Sequence, residues 1–159
     1  MSKARFYTLG VAVAAATLLA DWLTKSLIVR TFRPGQGITL IPGCFDLRFV
    51  LNPGAAWGIF AGHRWPLVLL AAAAVLGLIL WGHRLLSQHR PGAILYGLLL
   101  GGILGNAIDR IRSGQVIDFL DCYWRGHHFP AFNIADSAIC VSVLALILLD
   151  WFHERRPAP

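Results

Sequence analysis

The chain alternates long apolar runs with shorter mixed stretches. Apolar residues dominate at about 6–29, 65–86, 93–111 and 132–152. Each run is long enough to cross a bilayer as a helix at about 1.5 Å of rise per residue. The first follows a basic start, Lys3 and Arg5, as a signal peptide would, but it continues through Leu27-Ile28-Val29, which favours a spanning helix. Residues about 31–64 differ. Pro34-Gly35, Pro42-Gly43 and Pro53-Gly54 mark turns. Between the last two, Phe45, Leu47, Phe49 and Leu51 alternate with Asp46, Arg48, Val50 and Asn52, the period of a half-buried strand. The pattern predicts a membrane all-α fold: a four-transmembrane-helix bundle with a small extramembrane β-sheet between helices one and two, forming one domain over 1–159. Residues 112–131 read as a connecting segment, His127-His128 as loop, and Asp46 and Asp121 as solvated.

Composition agrees with a membrane chain. Of 159 residues, 57% are hydrophobic and 14% charged, and the mean hydropathy is +0.62; soluble domains carry roughly 25% charged residues. The net charge of +6 comes from 14 scattered Lys and Arg. Without a basic stripe or recognition motif, no nucleic-acid partner is expected. Cys44, Cys122 and Cys140 lack zinc or CxxC spacing, and the six histidines lack metal spacing. No metal site follows. Cys140, inside an apolar run, reads as a small buried hydrophobe.

Four spans place both termini on one side. The exit of helix one, the sheet, the exit of helix three and the entry of helix four then meet at the other. That face gathers Asp21, Lys25, Asn52, Asn106, Asp109, Arg110, Asp118, Asn133 and Asp136. A charge at the bilayer centre costs on the order of 3 kcal/mol or more, so such residues mark a functional site by default. The basic residues do not orient the chain. Lys3, Arg5, Arg84, Arg90, Arg155 and Arg156 on one side balance Arg30, Arg33, Arg48, Arg64, Arg112 and Arg125 on the other.

Asp118 follows the Ser113-Gly114 turn, and Asp136 lies in the first turns of helix four. Two carboxylates close together in a poorly solvated pocket share a proton, and such a pair can activate water against a carbonyl. The plainer alternative is that Asp118 caps a short helix and Asp136 complements the positive end of helix four. Asn106, Asp109 and Arg110 share a helix face. Arg110 could grip a substrate carbonyl or carboxylate, or lock with Asp109 at the helix end. Asp21 and Lys25, spaced i,i+4, read as a structural pair. Asn52 and Asn133 could hold a substrate backbone or make a turn and a cap. Small residues around Gly54 would admit close backbone approach, and Trp57 and Trp65 suit the water–lipid interface. Gly97, Gly101 and Gly105 form a small-residue stripe for helix packing. A proton-coupled transporter would need polar residues continuing across the bilayer. An assembly subunit packing through the stripe would leave the aspartate–asparagine cluster unexplained.

Five motifs occur in order: Asp21-Trp22-Leu23-Thr24-Lys25, Asn52-Pro53-Gly54-Ala55-Ala56-Trp57, Gly105-Asn106-Ala107-Ile108-Asp109-Arg110, Val116-Ile117-Asp118-Phe119 and Phe132-Asn133-Ile134-Ala135-Asp136-Ser137. With the four spans, the chain resembles the bacterial lipoprotein signal peptidases (signal peptidase II). The resemblance implies an aspartic endopeptidase of the bacterial inner membrane, sensitive to globomycin, with cytoplasmic termini and a site at the periplasmic leaflet. Its substrate would be a diacylglyceryl-modified prolipoprotein, cut before the lipidated cysteine. It implies Asp118 and Asp136 as the catalytic pair, and Asn52, Gly54, Asn106, Arg110 and Asn133 as substrate-binding positions. Asp21, Lys25 and Asp109 would be supporting polar residues. No metal or organic cofactor is expected, and the partners are the lipidated substrate and membrane lipid, with the enzyme a monomer.

Overall fold

A computed structural model of the chain describes residues 1–87, 89 and 91–154. The sequence positions 88 and 90 in the turn after the second span, and 155–159 in the basic tail, lie outside the described residues; they include Arg90, Arg155 and Arg156. Four helices are long and apolar enough to cross a membrane. They are α1 (Lys3–Thr31), α2 (Arg64–Leu86), α3 (Gly92–Ser113) and α4 (Ile134–Glu154).

α3 is the hub, with α1, α2 and α4 all packed on it. Its glycine stripe explains why. A Cβ at Gly97 would sit 2.5 Å from the Gly10 carbonyl, and one at Gly101 would sit 2.6 Å from the Ala14 carbonyl. The stripe therefore brings α3 against α1 within the chain, and it is consumed there. By contrast, α2 leaves Leu69, Leu70, Ile79 and Leu80 more than half exposed. An apolar face of this kind is what a helix presents to lipid.

The sheet is larger than the sequence pattern predicts. β1 (Gly37–Ile41) and β2 (Phe45–Asn52) are joined by β3 (Val116–Trp124) and β4 (His127–His128). The four strands run in the order β1-β2-β3-β4, antiparallel throughout. The segment read as a connection between helices three and four thus supplies half of the strands, and His127-His128 is a strand rather than a loop. Register matters here because Val50 pairs with Asp118 and Asn52 with Val116. The sheet is anchored on the end of α1 by buried Ile28, Phe49 and Phe119. α3 ends where Gly114 takes a left-handed conformation (φ 79°), turning the chain into β3.

Three smaller expectations are corrected. Asp121 is buried, 4% exposed, and its carboxylate meets His128 Nδ1 at 2.8 Å, because β4 folds over it. Asp46 is half-buried and accepts a hydrogen bond from the Tyr123 hydroxyl at 3.2 Å. Cys140 is exposed on α4 rather than buried, since it borders an open cavity instead of a packed core.

Candidate active site

The fourth helix begins at Ile134 rather than near 132, because Phe132 bridges to Leu120 of β3 and Asn133 serves as the cap. The Asp136 N–H donates to Asn133 Oδ1 at 2.9 Å, while the Asn133 N–H donates to Asp136 Oδ2 at 3.2 Å. This reciprocal arrangement is a capping box. It fixes the Asp136 carboxyl at the mouth of the helix, so capping and membership of the cluster are one arrangement, not alternatives. Asp118 does not cap a helix; it is held in β3.

Amide side chains join the two aspartates. Asn133 Nδ2 donates to Asp118 Oδ1 at 2.7 Å and to Asn106 Oδ1 at 3.1 Å. Asn106 Nδ2 donates to Asp136 Oδ1 at 2.6 Å. Asn52 Nδ2 reaches Asp118 Oδ2 at 3.0 Å, and its Oδ1 accepts the Gly54 N–H at 2.9 Å. Asp118 is 1% exposed and Asn133 fully buried.

Behind the asparagines lies an ion network. Lys25 Nζ contacts Asp21 Oδ2 at 2.7 Å, Asp109 Oδ2 at 2.8 Å and Asn106 Oδ1 at 3.1 Å, which occupies all three ammonium protons. The free oxygen of Asp21 accepts the N–H of Ala135 at 3.0 Å, and Asp109 Oδ2 also accepts the N–H of Ile117 at 3.4 Å. Each of these N–H groups immediately precedes one aspartate of the pair. The network therefore holds the backbone of both α4 and β3. Asp109 pairs with Lys25, and among the described residues no Asp109–Arg110 ion pair forms, since the two side chains leave α3 in different directions. Arg110 instead donates to the carbonyl oxygens of Gly54 at 2.9 Å and Asn106 at 3.3 Å, which pins the Gly54 loop to α3.

The electrostatics follow from the count of groups. Asp21, Asp109, Asp118 and Asp136 face two cations, Lys25 and Arg110, in one poorly solvated cluster. Asp118, in β3, therefore titrates under burial and beside another carboxyl. Burial, with the Asp136 charge adding to it, pushes the Asp118 carboxyl up from 3.8 to about 7, against the opposing hydrogen bonds from Asn52 and Asn133.

A cavity of about 460 Å³ opens onto this pair, with Asn52, Arg110, Asp118 and Asp136 on its polar side. Its apolar walls include Trp57, Phe129, Phe132 and Cys140. Trp57 is 73% exposed with φ 54°, an uncommon conformation for a bulky residue, and its ring stands edge-on to Phe129 at 5.8 Å between centroids. The wall residues from 129 to 132 were not among the sequence candidates. The apolar Phe129-Pro130-Ala131-Phe132 stretch directly before Asn133 was the available signal. Among the described residues, no group of three or more His, Cys, Asp or Glu is arranged to hold a metal ion.

Comparison with known proteins fits this site. Residues 13–152 match the family model described as signal peptidase (SPase) II. The chain is 46% identical over 158 residues to the lipoprotein signal peptidase of Geobacter sulfurreducens, covering 96% of this chain and 98% of that one. It is 38% identical over 147 residues to the lipoprotein signal peptidase of Bacillus subtilis, covering 91% and 96%. A bacterial membrane enzyme solved by the in meso method at 2.3 Å superposes with a TM-score of 0.80 at 28% identity, covering 94% of this chain and 93% of that one.

Proposed function

Since the chain belongs to the signal peptidase II family, we propose that it removes signal peptides from lipoprotein precursors, using Asp118 and Asp136 as an aspartic dyad. It is a bacterial membrane peptidase. The observation that carries the dyad is the Asn106–Asn133 bridge, which links the buried Asp118 carboxyl to the half-buried Asp136 carboxyl at the cavity.

The dyad works with one proton. Its ionised carboxylate takes a proton from water, while the protonated carboxyl donates to the oxygen of the scissile carbonyl. Hydroxide adds to the carbonyl carbon. The tetrahedral intermediate then collapses: the C–N bond breaks, the leaving amine receives the proton taken from water, and one hydroxyl of the intermediate returns its proton to the other carboxylate as C=O re-forms. Asn106 and Asn133 hold the carboxyls in register. Asn52 and Arg110 line the cavity where substrate backbone would lie, with Gly54 bonded to both beside it, and Arg110 keeps donor capacity beyond its two carbonyl contacts. A diacylglyceryl-modified precursor keeps its acyl chains in the bilayer, so the bond before the lipidated cysteine arrives at the headgroup level where the helix ends lie. The apolar wall of Trp57, Phe129 and Phe132 then excludes water from the reaction. In this reading the chain is one peptidase domain, acting as a monomer without cofactor. It sits in the inner membrane with cytoplasmic termini and the dyad at the periplasmic leaflet.

Incubating purified protein with a diacylglyceryl-modified prolipoprotein, and reading the product by mass spectrometry, tests the assignment. The expected product begins at the modified cysteine. A cut elsewhere, or equal cutting of the unmodified precursor, would contradict it.

A further inference from the structure

A second groove, of about 510 Å³, runs between the C-terminal halves of α1 and α3 and shares no lining residue with the dyad cavity. Its floor is the satisfied Asp21–Lys25–Asp109 network, which has no donor left to offer. Its walls are apolar, with Leu18, Trp22, Val29 and Ile108. The stretch of α1 from Leu18 to Arg30 rises about 18 Å, close to the ~15 Å of one leaflet's hydrocarbon. Arg30 and Arg112 line the groove from the last turns of the two helices. Both are exposed, and among the described residues neither has a carboxylate partner within 4.0 Å. Each arginine complements the C-terminal dipole of its own helix, but that interaction leaves most of the guanidinium donors open.

We propose that this groove binds an anionic glycerophospholipid, its phosphate between Arg30 and Arg112 and an acyl chain along Leu18, Trp22 and Ile108. The charge pattern selects the occupant. A neutral diacylglyceryl group would leave both guanidiniums of the groove uncompensated, and a zwitterionic headgroup would bring its own cation into it. An anionic phosphodiester offsets one of the two positive charges and accepts hydrogen bonds from the guanidiniums, at the level where basic residues between membrane helices meet headgroups. The apolar wall fixes the acyl chain at leaflet depth, which inorganic phosphate could not use.

Native mass spectrometry of detergent-solubilised protein, offered phosphatidylglycerol or phosphatidylcholine of matched chains, reads the site without relying on peptidase activity. The wild type should retain phosphatidylglycerol on the order of tenfold more tightly, and an Arg30→Gln/Arg112→Gln variant should lose most of that preference. The variant should melt as wild type does and cut substrate at the wild-type rate in phosphatidylcholine micelles. An Arg33→Gln/Arg48→Gln control, which removes two exposed arginines outside the groove, should keep the preference. Equal retention of the two lipids by wild type would overturn the proposal. So would an undiminished preference in the groove variant, or an equal loss in the control.

Discussion

Asp118 is the residue on which the pH behaviour turns. Its carboxyl is held at about 7 against an ordinary 3.8, chiefly by burial. Between those values the folded state keeps a proton that the unfolded chain releases. The associated stability is therefore complete below about pH 4 and is lost as pH rises through about 7. Asp118→Asn should flatten this fall, read as a smaller drop in melting temperature between pH 5 and pH 8 than wild type shows. Activity should carry the same signature. Once the pair loses its shared proton it has no acid for the carbonyl oxygen, so kcat/KM should decline on the alkaline side with a midpoint near 7. That midpoint belongs to the dyad as a unit. A rate that is level from pH 6 to pH 9 would count against this protonation scheme. Asp118 and Asp136 were both legible in the sequence as acids where a membrane chain rarely carries them. Asn133 was harder to place, because a cap and a ligand to Asp118 are one side chain doing two things. That coincidence depends on β3 passing beside the start of α4.

The next scale is that of elements, where two contacts hold the arrangement. Lys25 neutralises Asp21 and Asp109, whose remaining bonds reach the backbone before Asp136 and Asp118. Lys25→Met would leave the buried Asp21 and half-buried Asp109 carboxyls without their cation, a loss of about 3–5 kcal/mol. Its melting temperature in detergent should fall well below wild type, with cleavage falling alongside. A wild-type melt would mean that the network is dispensable. At Gly101, an added side chain would drive into the Ala14 carbonyl and the Thr17 side chain. Gly101→Val should cost about 1–3 kcal/mol through overpacking, visible in the same melt. The helices were legible because apolar runs of spanning length have few other interpretations in a chain this hydrophobic. β3 was not. Its burial does not alternate simply, since it packs on α1 and α3 while Ile117, Leu120 and Cys122 are half-covered. Its partner in the sheet, β2, lies more than sixty residues earlier in the chain. The Val, Ile, Phe, Tyr and Trp content from Val116 to Trp124 was a strand signal, but no turn residue divides that stretch to announce it.

At the scale of the whole molecule, the sheet and the dyad share one side of the membrane, and the proposed orientation puts that side outward. Cys44 reports on it, being exposed in the turn between β1 and β2. In a Cys122→Ala/Cys140→Ala background, a membrane-impermeant maleimide added to spheroplasts should label Cys44 without lysis. Labelling that requires permeabilised membranes would reverse the orientation. The glycine stripe has a matching lesson. In the sequence it was equally compatible with a partner subunit, and it became an internal α1–α3 contact once the neighbours at Gly10, Val13 and Ala14 were known.

The account stands most directly on the two aspartates acting together. A gel-shift assay in micelles near pH 6, with diacylglyceryl-modified prolipoprotein, compares wild type with Asp118→Asn and Asp136→Asn, each checked for an unchanged elution profile. Wild type should convert the substrate, and each variant should be slower by on the order of 10³-fold. Conversion by either folded variant at a rate near that of wild type would remove that carboxyl from the reaction and contradict the dyad.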